Sequence, residues 1–333
     1  MDNIMIQDRA AGALAGVALG DAMGMPSQTL TRAAIHQAYE RITDFIAPMD
    51  GHPVSHGLEA AQFTDDTEQT LLLAKLLIQG EFTDTAWATA LLEWEKDVRA
   101  RGLHDLLGPS SKAALESLMA GVPATETGLR GTTNGAAMRI VPVGISIPFV
   151  GARLVDKVEA VCRVTHATGE AVGGAAAVAS VISQGLSGLD FDATLEGALE
   201  AARMGCERGN PIGERDMAGR ISLALDVAKM GDEAALAAQI GTSVASRESV
   251  AAAFGVVRLA KGDPWQAALI SANIGDDTDT IGAMASAMCG ACSGLSSFPT
   301  DKLAVLKARN QFHPEAVARD LLVLRAQHKD GDV

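Results

Sequence analysis

Aromatic side chains are scarce in this chain: one tyrosine, three tryptophans and eight phenylalanines make up 4% of 333 residues. Alanine, leucine, valine and isoleucine must therefore fill the core of a sequence that is 48% hydrophobic. Small core residues suit closely packed helices and argue against a β-sandwich, whose strands draw on aromatic and β-branched residues. Positive charge is short as well, with 27 Lys and Arg against 41 Asp and Glu and a formal net charge of -14. So acidic a balance excludes binding to a nucleic-acid backbone, which needs a basic footprint. Cysteine is limited to Cys162, Cys206, Cys289 and Cys292. Cys289 and Cys292 form a Cys-x-x-Cys, but there is no second close pair to complete a zinc site. The pair is expected to be ordinary buried thiols of a reducing compartment. Long apolar runs are missing too. Met1 to Arg9 carries Asp2 and Asp8 instead of a basic leader, and the next apolar stretch is short and broken by glycine. Neither a signal peptide nor a membrane span is expected, which makes the expected location cytoplasmic.

What the chain does have is helical periodicity nearly throughout. Asp8 is expected to cap a helix reaching Leu19, and Thr31 another reaching Arg41. A loop rich in Gly, Pro and His follows from Thr43 to Phe63. Asp65 and Glu68 then have capping-box spacing, ahead of a buried face made by Leu71, Leu72, Leu76 and Leu77, and Gly80 ends that helix. Further helical segments continue to the C-terminus, one of them running across residues 135–147. The best strand candidate, Val141 to Ile145, is spoiled by Pro142 and Gly144. No Pro/Ser-rich linker divides the chain. One compact all-α, multi-helix domain is expected over residues 1–328, with a polar tail at 329–333.

Two acidic clusters stand at predicted helix starts: Phe63-Thr64-Asp65-Asp66-Thr67, and Gly275-Asp276-Asp277-Thr278-Asp279-Thr280-Ile281-Gly282. One or two acids there commonly act as caps, because they satisfy free amides and the helix dipole. Two such clusters in one chain, with no matching run of Lys or Arg, point further. Crowded carboxylates repel and raise one another's pKa unless a cation joins them. A set of oxygen donors of this kind suits Mg²⁺, Mn²⁺ or Ca²⁺ better than zinc. Three other segments belong with them. Gly16 to Met25 reads Gly-Val-Ala-Leu-Gly-Asp-Ala-Met-Gly-Met, with glycines that permit close backbone approach. Thr133 to Arg139 reads Thr-Asn-Gly-Ala-Ala-Met-Arg, a helix start whose amides could meet phosphate or sugar hydroxyls. Thr165-His166 places a histidine just before a helix.

Taken in order, Gly-x-x-x-Gly-Asp-Ala-Met-Gly, Phe-Thr-Asp-Asp-Thr, Asn-Gly-Ala-Ala-Met-Arg, Thr-His and Gly-Asp-Asp-Thr-Asp-Thr-Ile-Gly resemble the ADP-ribosylglycohydrolase family, which includes the dinitrogenase-reductase-activating glycohydrolases. The resemblance runs from about Asp8 to about Leu295. It implies an all-α fold with a dinuclear Mg²⁺ or Mn²⁺ centre in a cleft. By position it makes Thr64, Asp65, Asp66, Asp277, Asp279 and Thr280 metal ligands. As the middle carboxylate of the tight Asp-x-Asp-Thr turn, Asp279 is the expected bridge, and Asp65 or Asp66 is the expected base that orients water. The resemblance assigns Asn134, Gly135 and His166 to the ribose and phosphate pocket, alongside Asp21 and Gln28. Two departures stand out. Gln28 occupies a place where many relatives carry Glu, and an amide cannot take up a proton. Near Leu107-Gly108-Pro109, Asp105 is one place from the Asp of the nitrogenase regulators, and the stretch is closer to uncharacterised bacterial members. The expected activity is hydrolysis of the ribosyl C1 bond of an ADP-ribosylated substrate, with two divalent cations and without nucleic-acid or membrane partners. The alternatives are hydrolysis of a small free riboside at the same centre, or a non-catalytic binding role.

Overall fold

The computed structural model describes residues 3–103, 107–150 and 152–330. Helix accounts for 69% of the chain. Among the described residues there is no strand, only isolated bridges between Thr133 and Ala245 and between Thr168 and Asn210. The all-α expectation therefore holds, and the Val141–Ser146 segment, the best strand candidate, is a short helix.

Three helices form the centre. Asn3–Gly24 is buried without interruption from Ala10 onward. Gly169–Leu186 and Thr278–Ser293 are buried almost all round. Helices apolar on every side belong inside a fold. Their small side chains explain how a core with so few aromatics closes. Gly12, Gly16, Gly20 and Gly24 recur every fourth residue and face the backbone of Thr278–Ser293. A Cβ added at Gly282 would come within 2.6 Å of the Gly20 carbonyl oxygen, so only glycine fits at this crossing. Phe191–Arg208, Ser246–Leu259, Pro264–Ala272 and Pro314–Asp330 surround this centre.

Several boundaries differ from the sequence expectation. The first helix starts at Asn3 and not after Asp8, and it runs on to Gly24. Asp8 lies inside it and accepts hydrogen bonds from Ser296 N at 3.1 Å and Ser296 Oγ at 2.8 Å. The segment expected as one helix over 135–147 splits into Gly135–Met138 and Val141–Ser146. Pro142 has no amide to continue the ladder, so it sits in the first turn of the second piece. The capping box of Asp65 and Glu68 is not made. Glu68 turns instead to Trp94 Nε1 at 2.6 Å and to Arg101 at 2.8 Å. The final helix continues through Asp330, into the segment expected as a tail, and residues 331–333 lie outside the described residues. No helix among the described residues is long and apolar enough to cross a membrane.

Candidate active site

The glycine crossing determines where the chemistry falls. It lays the end of Asn3–Gly24 against the start of Thr278–Ser293, so that Gly24 abuts Thr278 and Asp279. Asp21, next to Gly20, is fully buried and faces the start of Asp65–Gln79. Its carboxylate accepts from Thr64 N at 2.9 Å, Thr64 Oγ1 at 2.7 Å, Thr67 N at 3.0 Å and Thr67 Oγ1 at 2.6 Å. Two acidic helix starts, distant in sequence, are thus docked onto one helix end.

They open on a common cleft of about 190 Å³. Asp65, Asp277, Asp279 and Thr280 line it together with Gln28, Asn134 and Gly135. Asp66 lies just behind, where its Oδ2 accepts from Thr280 Oγ1 at 3.5 Å. Its Oδ1 is buried with no hydrogen-bond partner. Burial, reinforced by the neighbouring carboxylates, pushes Asp65, Asp66 and Asp279 well above the usual carboxylate range. Burial raises Asp277 to about 6 against the pull of the Asn134 amide, and Asp21 to about 6 against its four donors. Beyond burial, Asp279 is raised by Asp277, Asp21 and Asp65, and Asp66 by Asp65, Asp279, Asp21 and Asp277, so the two acidic segments act on each other. Asp276 is different. It is exposed, has φ +57, and binds Thr242 Oγ1 at 3.1 Å, away from the cluster.

Asn134 donates to Ser249 Oγ at 2.8 Å and to Asp277 Oδ2, so it holds a carboxylate as well as lining the cleft. Gly135 has no room for a side chain, because a Cβ would come 2.8 Å from His166 Cε1. His166, expected to line the pocket, is fully buried beneath this loop. Arg139 donates to Thr165 Oγ1 at 2.6 Å and faces His166 Nδ1 at 3.5 Å; a guanidinium only donates, so Nδ1 is an acceptor and takes the Thr165 hydroxyl proton at 2.7 Å. His166 Nε2 therefore carries the ring proton and donates to Thr133 Oγ1 at 3.0 Å. Burial first, then the Arg139 charge, lower its pKa well below the usual value, and the ring is neutral. His166 supports the Thr133–Gly135 loop from below. Asp21 likewise lies under the cleft and does not line it, since its carboxylate is committed to Thr64 and Thr67.

Residue-type reasoning missed the supports. Arg139, buried and lowered by burial to about 10, stacks over Trp87 at 5.0 Å and donates to Gln69 Oε1 at 2.9 Å. Gln69 in turn donates to Asp65 Oδ2 at 3.3 Å. Ser249 and Ser55 carry no sequence signal, being single serines outside any motif. Asp105 and Leu106 lie outside the described residues. Cys289 and Cys292 are free buried thiols, with Cys292 pushed up to about 12 by burial, as expected of inert core cysteines. A larger depression of about 760 Å³ is lined by Arg32, Lys229, Glu233 and Arg258 and by no residue of the acidic motifs.

Among the described residues, no three acidic, histidine or cysteine side chains are gathered tightly enough to form a ready-made ion site. The donor chemistry nonetheless fits hard cations. Four buried carboxylates, Asp21, Asp65, Asp66 and Asp279, and the half-buried Asp277 face one buried guanidinium, that of Arg139, and Asp66 Oδ1 has no other partner. A buried, unpaired carboxylate oxygen is costly unless a cation or donor meets it.

An all-helical protein with a cleft of buried aspartates at two helix starts is the class these features define. The chain matches the ADP-ribosylglycohydrolase family over residues 2–331 and belongs to that family. It is 34% identical to the uncharacterised protein YegU of Escherichia coli (strain K12), covering 98% of this chain and 99% of that one. It is 29% identical to the ADP-ribosylarginine hydrolase Tri1 of Pseudomonas putida (strain GB-1), covering 88% and 73%. A solved structure titled ADP-ribosylglycohydrolase-related protein complex superposes with a TM-score of 0.72 at 24% identity, covering 97% of this chain and 99% of that one, and has the same fold.

Proposed function

We propose that this protein is a metal-dependent glycohydrolase that cleaves the ribosyl C1 bond of an ADP-ribosylated substrate, a protein side chain or a small ADP-ribosyl compound, releasing ADP-ribose. The observation that carries this reading is the meeting of Asp65, Asp277, Asp279 and Thr280 in one cleft, with Asp66 directly behind. Thr64, Asp65, Asp66, Asp277, Asp279 and Thr280 would hold two divalent cations, Mg²⁺ or Mn²⁺. Bound there, these would supply Lewis acidity to the ribose oxygens and to water.

The remaining work falls to the protein. Ribosyl cleavage passes through an oxocarbenium-like state that needs an activated water on one face. Asp65 is the base best placed to receive that water's proton, because it borders the cleft while Asp66 is enclosed. The Arg139–Gln69 pair steadies Asp65 from behind. Asn134 holds Asp277 in its orientation. Gly135 lets the Thr133–Gly135 loop rest directly on His166, because a Cβ there would collide with the imidazole.

A second reading, hydrolysis of a small free riboside, is favoured by the size and lining of the cleft. About 190 Å³ is small for a dinucleotide-sized ligand, and no Lys, Arg or aromatic side chain lines it among the described residues. One experiment separates the readings: release assays on ADP-ribosyl-arginine and on a panel of nucleosides, each with Mg²⁺, with Mn²⁺ and with chelator. Metal-dependent release of ADP-ribose supports the first reading and nucleoside turnover alone supports the second. Release from neither, by protein that binds metal, would leave a binding role.

A further inference from the structure

We infer that Asp21 is a positioning residue that caps the helix Asp65–Gln79 from another element, so that Asp65 keeps its place at the cleft wall and Asp66 Oδ1, just behind it, is left without a protein partner. This rests on the metal-binding reading above. A helix start exposes amides that its first side chains ordinarily satisfy, and acids at the first positions are the usual caps. Here Asp65, Asp66 and Glu68 all stand in the first turn, and Thr64 at the N-cap makes no side-chain capping bond. The amides of Thr64 and Thr67 are instead both taken by Asp21, which also receives both threonine hydroxyls. One carboxylate thereby does the work that would otherwise fall to the acids of the turn itself. Asp66 is the clearest beneficiary, since its Oδ1 is left with no protein partner at all.

The position of Asp21 adds a second consequence. Gly20 and Gly24 on either side of it are in backbone contact with Gly282 and Asp279 of the other acidic segment. The single turn Gly20–Gly24 therefore sets the spacing between the two half-sites. Asp21 is fully buried, and every hydrogen bond its carboxylate accepts comes from Thr64 or Thr67. Nothing in this arrangement requires Asp21 to touch substrate or cation.

The test compares Asp21→Asn with Thr67→Val in the full-length protein. Asn keeps the size of Asp but presents an NH₂ group to N–H and O–H donors, and it removes a charge. Val keeps every charge and removes only the Thr67 hydroxyl that Asp21 holds. Mn²⁺ binding is followed by calorimetry without substrate, and amide exchange of the segment around 63–70 by mass spectrometry on metal-free protein. Asp21→Asn should weaken Mn²⁺ binding by about tenfold or more, in the range of lost outer-shell support. Thr67→Val should weaken it severalfold, and both should speed exchange at the start of Asp65–Gln79. If Thr67→Val leaves affinity and exchange unchanged, the effect of Asp21 is one of charge and the positioning role is wrong. If Asp21→Asn does not fold, Thr67→Val alone decides in the same way. Wild-type protein that binds no Mn²⁺ would sink the metal reading itself, and this inference with it.

Discussion

Gly20 and Gly282 meet backbone to backbone, each placed where a Cβ would collide with the other's carbonyl. This contact joins the first helix to the helix that carries Asp277 and Asp279, and it lies one residue from Asp21. Gly20→Ala must therefore push the two helices apart. Overpacking of this kind costs about 1–3 kcal/mol. Denaturant unfolding should show that loss, and metal affinity should fall with it because the half-sites separate. Unchanged stability would mean that the crossing is loose.

Within the second acidic turn the roles should divide sharply. Asp279 lines the cleft with Asp65 and Asp277, whereas Asp276 is exposed and holds Thr242. Asp279→Ala should lose at least one cation and most turnover, while Asp276→Ala should retain both within about threefold, as expected for a surface substitution. Metal titration and turnover on the two variants check this. The reverse order would show that the assignment within the turn is wrong.

Gln28 has a defined amide orientation. Ser55 Oγ gives its one proton to Met25 O at 2.7 Å, so it must accept from Gln28 Nε2 at 3.0 Å. The amide oxygen is then the free end of a side chain that lines the cleft. It can accept a hydrogen bond from a substrate hydroxyl but cannot take up the proton. Gln28→Leu should raise KM about tenfold, the loss of one hydrogen bond, with little change in kcat. Ser55→Ala, which lets the amide turn over, should move KM in the same direction by less. A fall in kcat with KM unchanged would instead place Gln28 at the chemical step.

His166 makes stability depend on pH in one direction. Its folded pKa is depressed by burial, so its contribution is present above the unfolded value near 6.5 and is lost as pH falls toward the folded value. Urea unfolding of wild type and of His166→Gln at several pH values between about 7.5 and 5 isolates this term. Wild type should lose stability relative to the variant as pH falls, with a limiting slope of about 1.4 kcal/mol per pH unit for one proton. A constant difference between the two would mean that the imidazole titrates equally in both states.

Much of this molecule follows from short-range pattern. Helical periodicity and a core of small residues determine the all-α class, because spacing and side-chain volume are local properties. The aspartates of residues 65–66 and 277–279 are legible for the same reason: crowded carboxylates with no adjacent bases are unusual chemistry wherever they occur. What each group faces was decided only by tertiary structure. Asp8, expected as a cap, sits inside a longer helix and binds Ser296. Asp21 and His166, expected at the pocket wall, lie beneath it, where Thr64, Thr67 and Thr133 take up their hydrogen bonds. The glycines of the first helix permitted a close approach, but nothing in their spacing named Gly282, Ser286 and Gly290 as the other side. A hydrogen-bond partner or a packing neighbour is set by where whole elements come to rest, and that depends on the burial of all of them together.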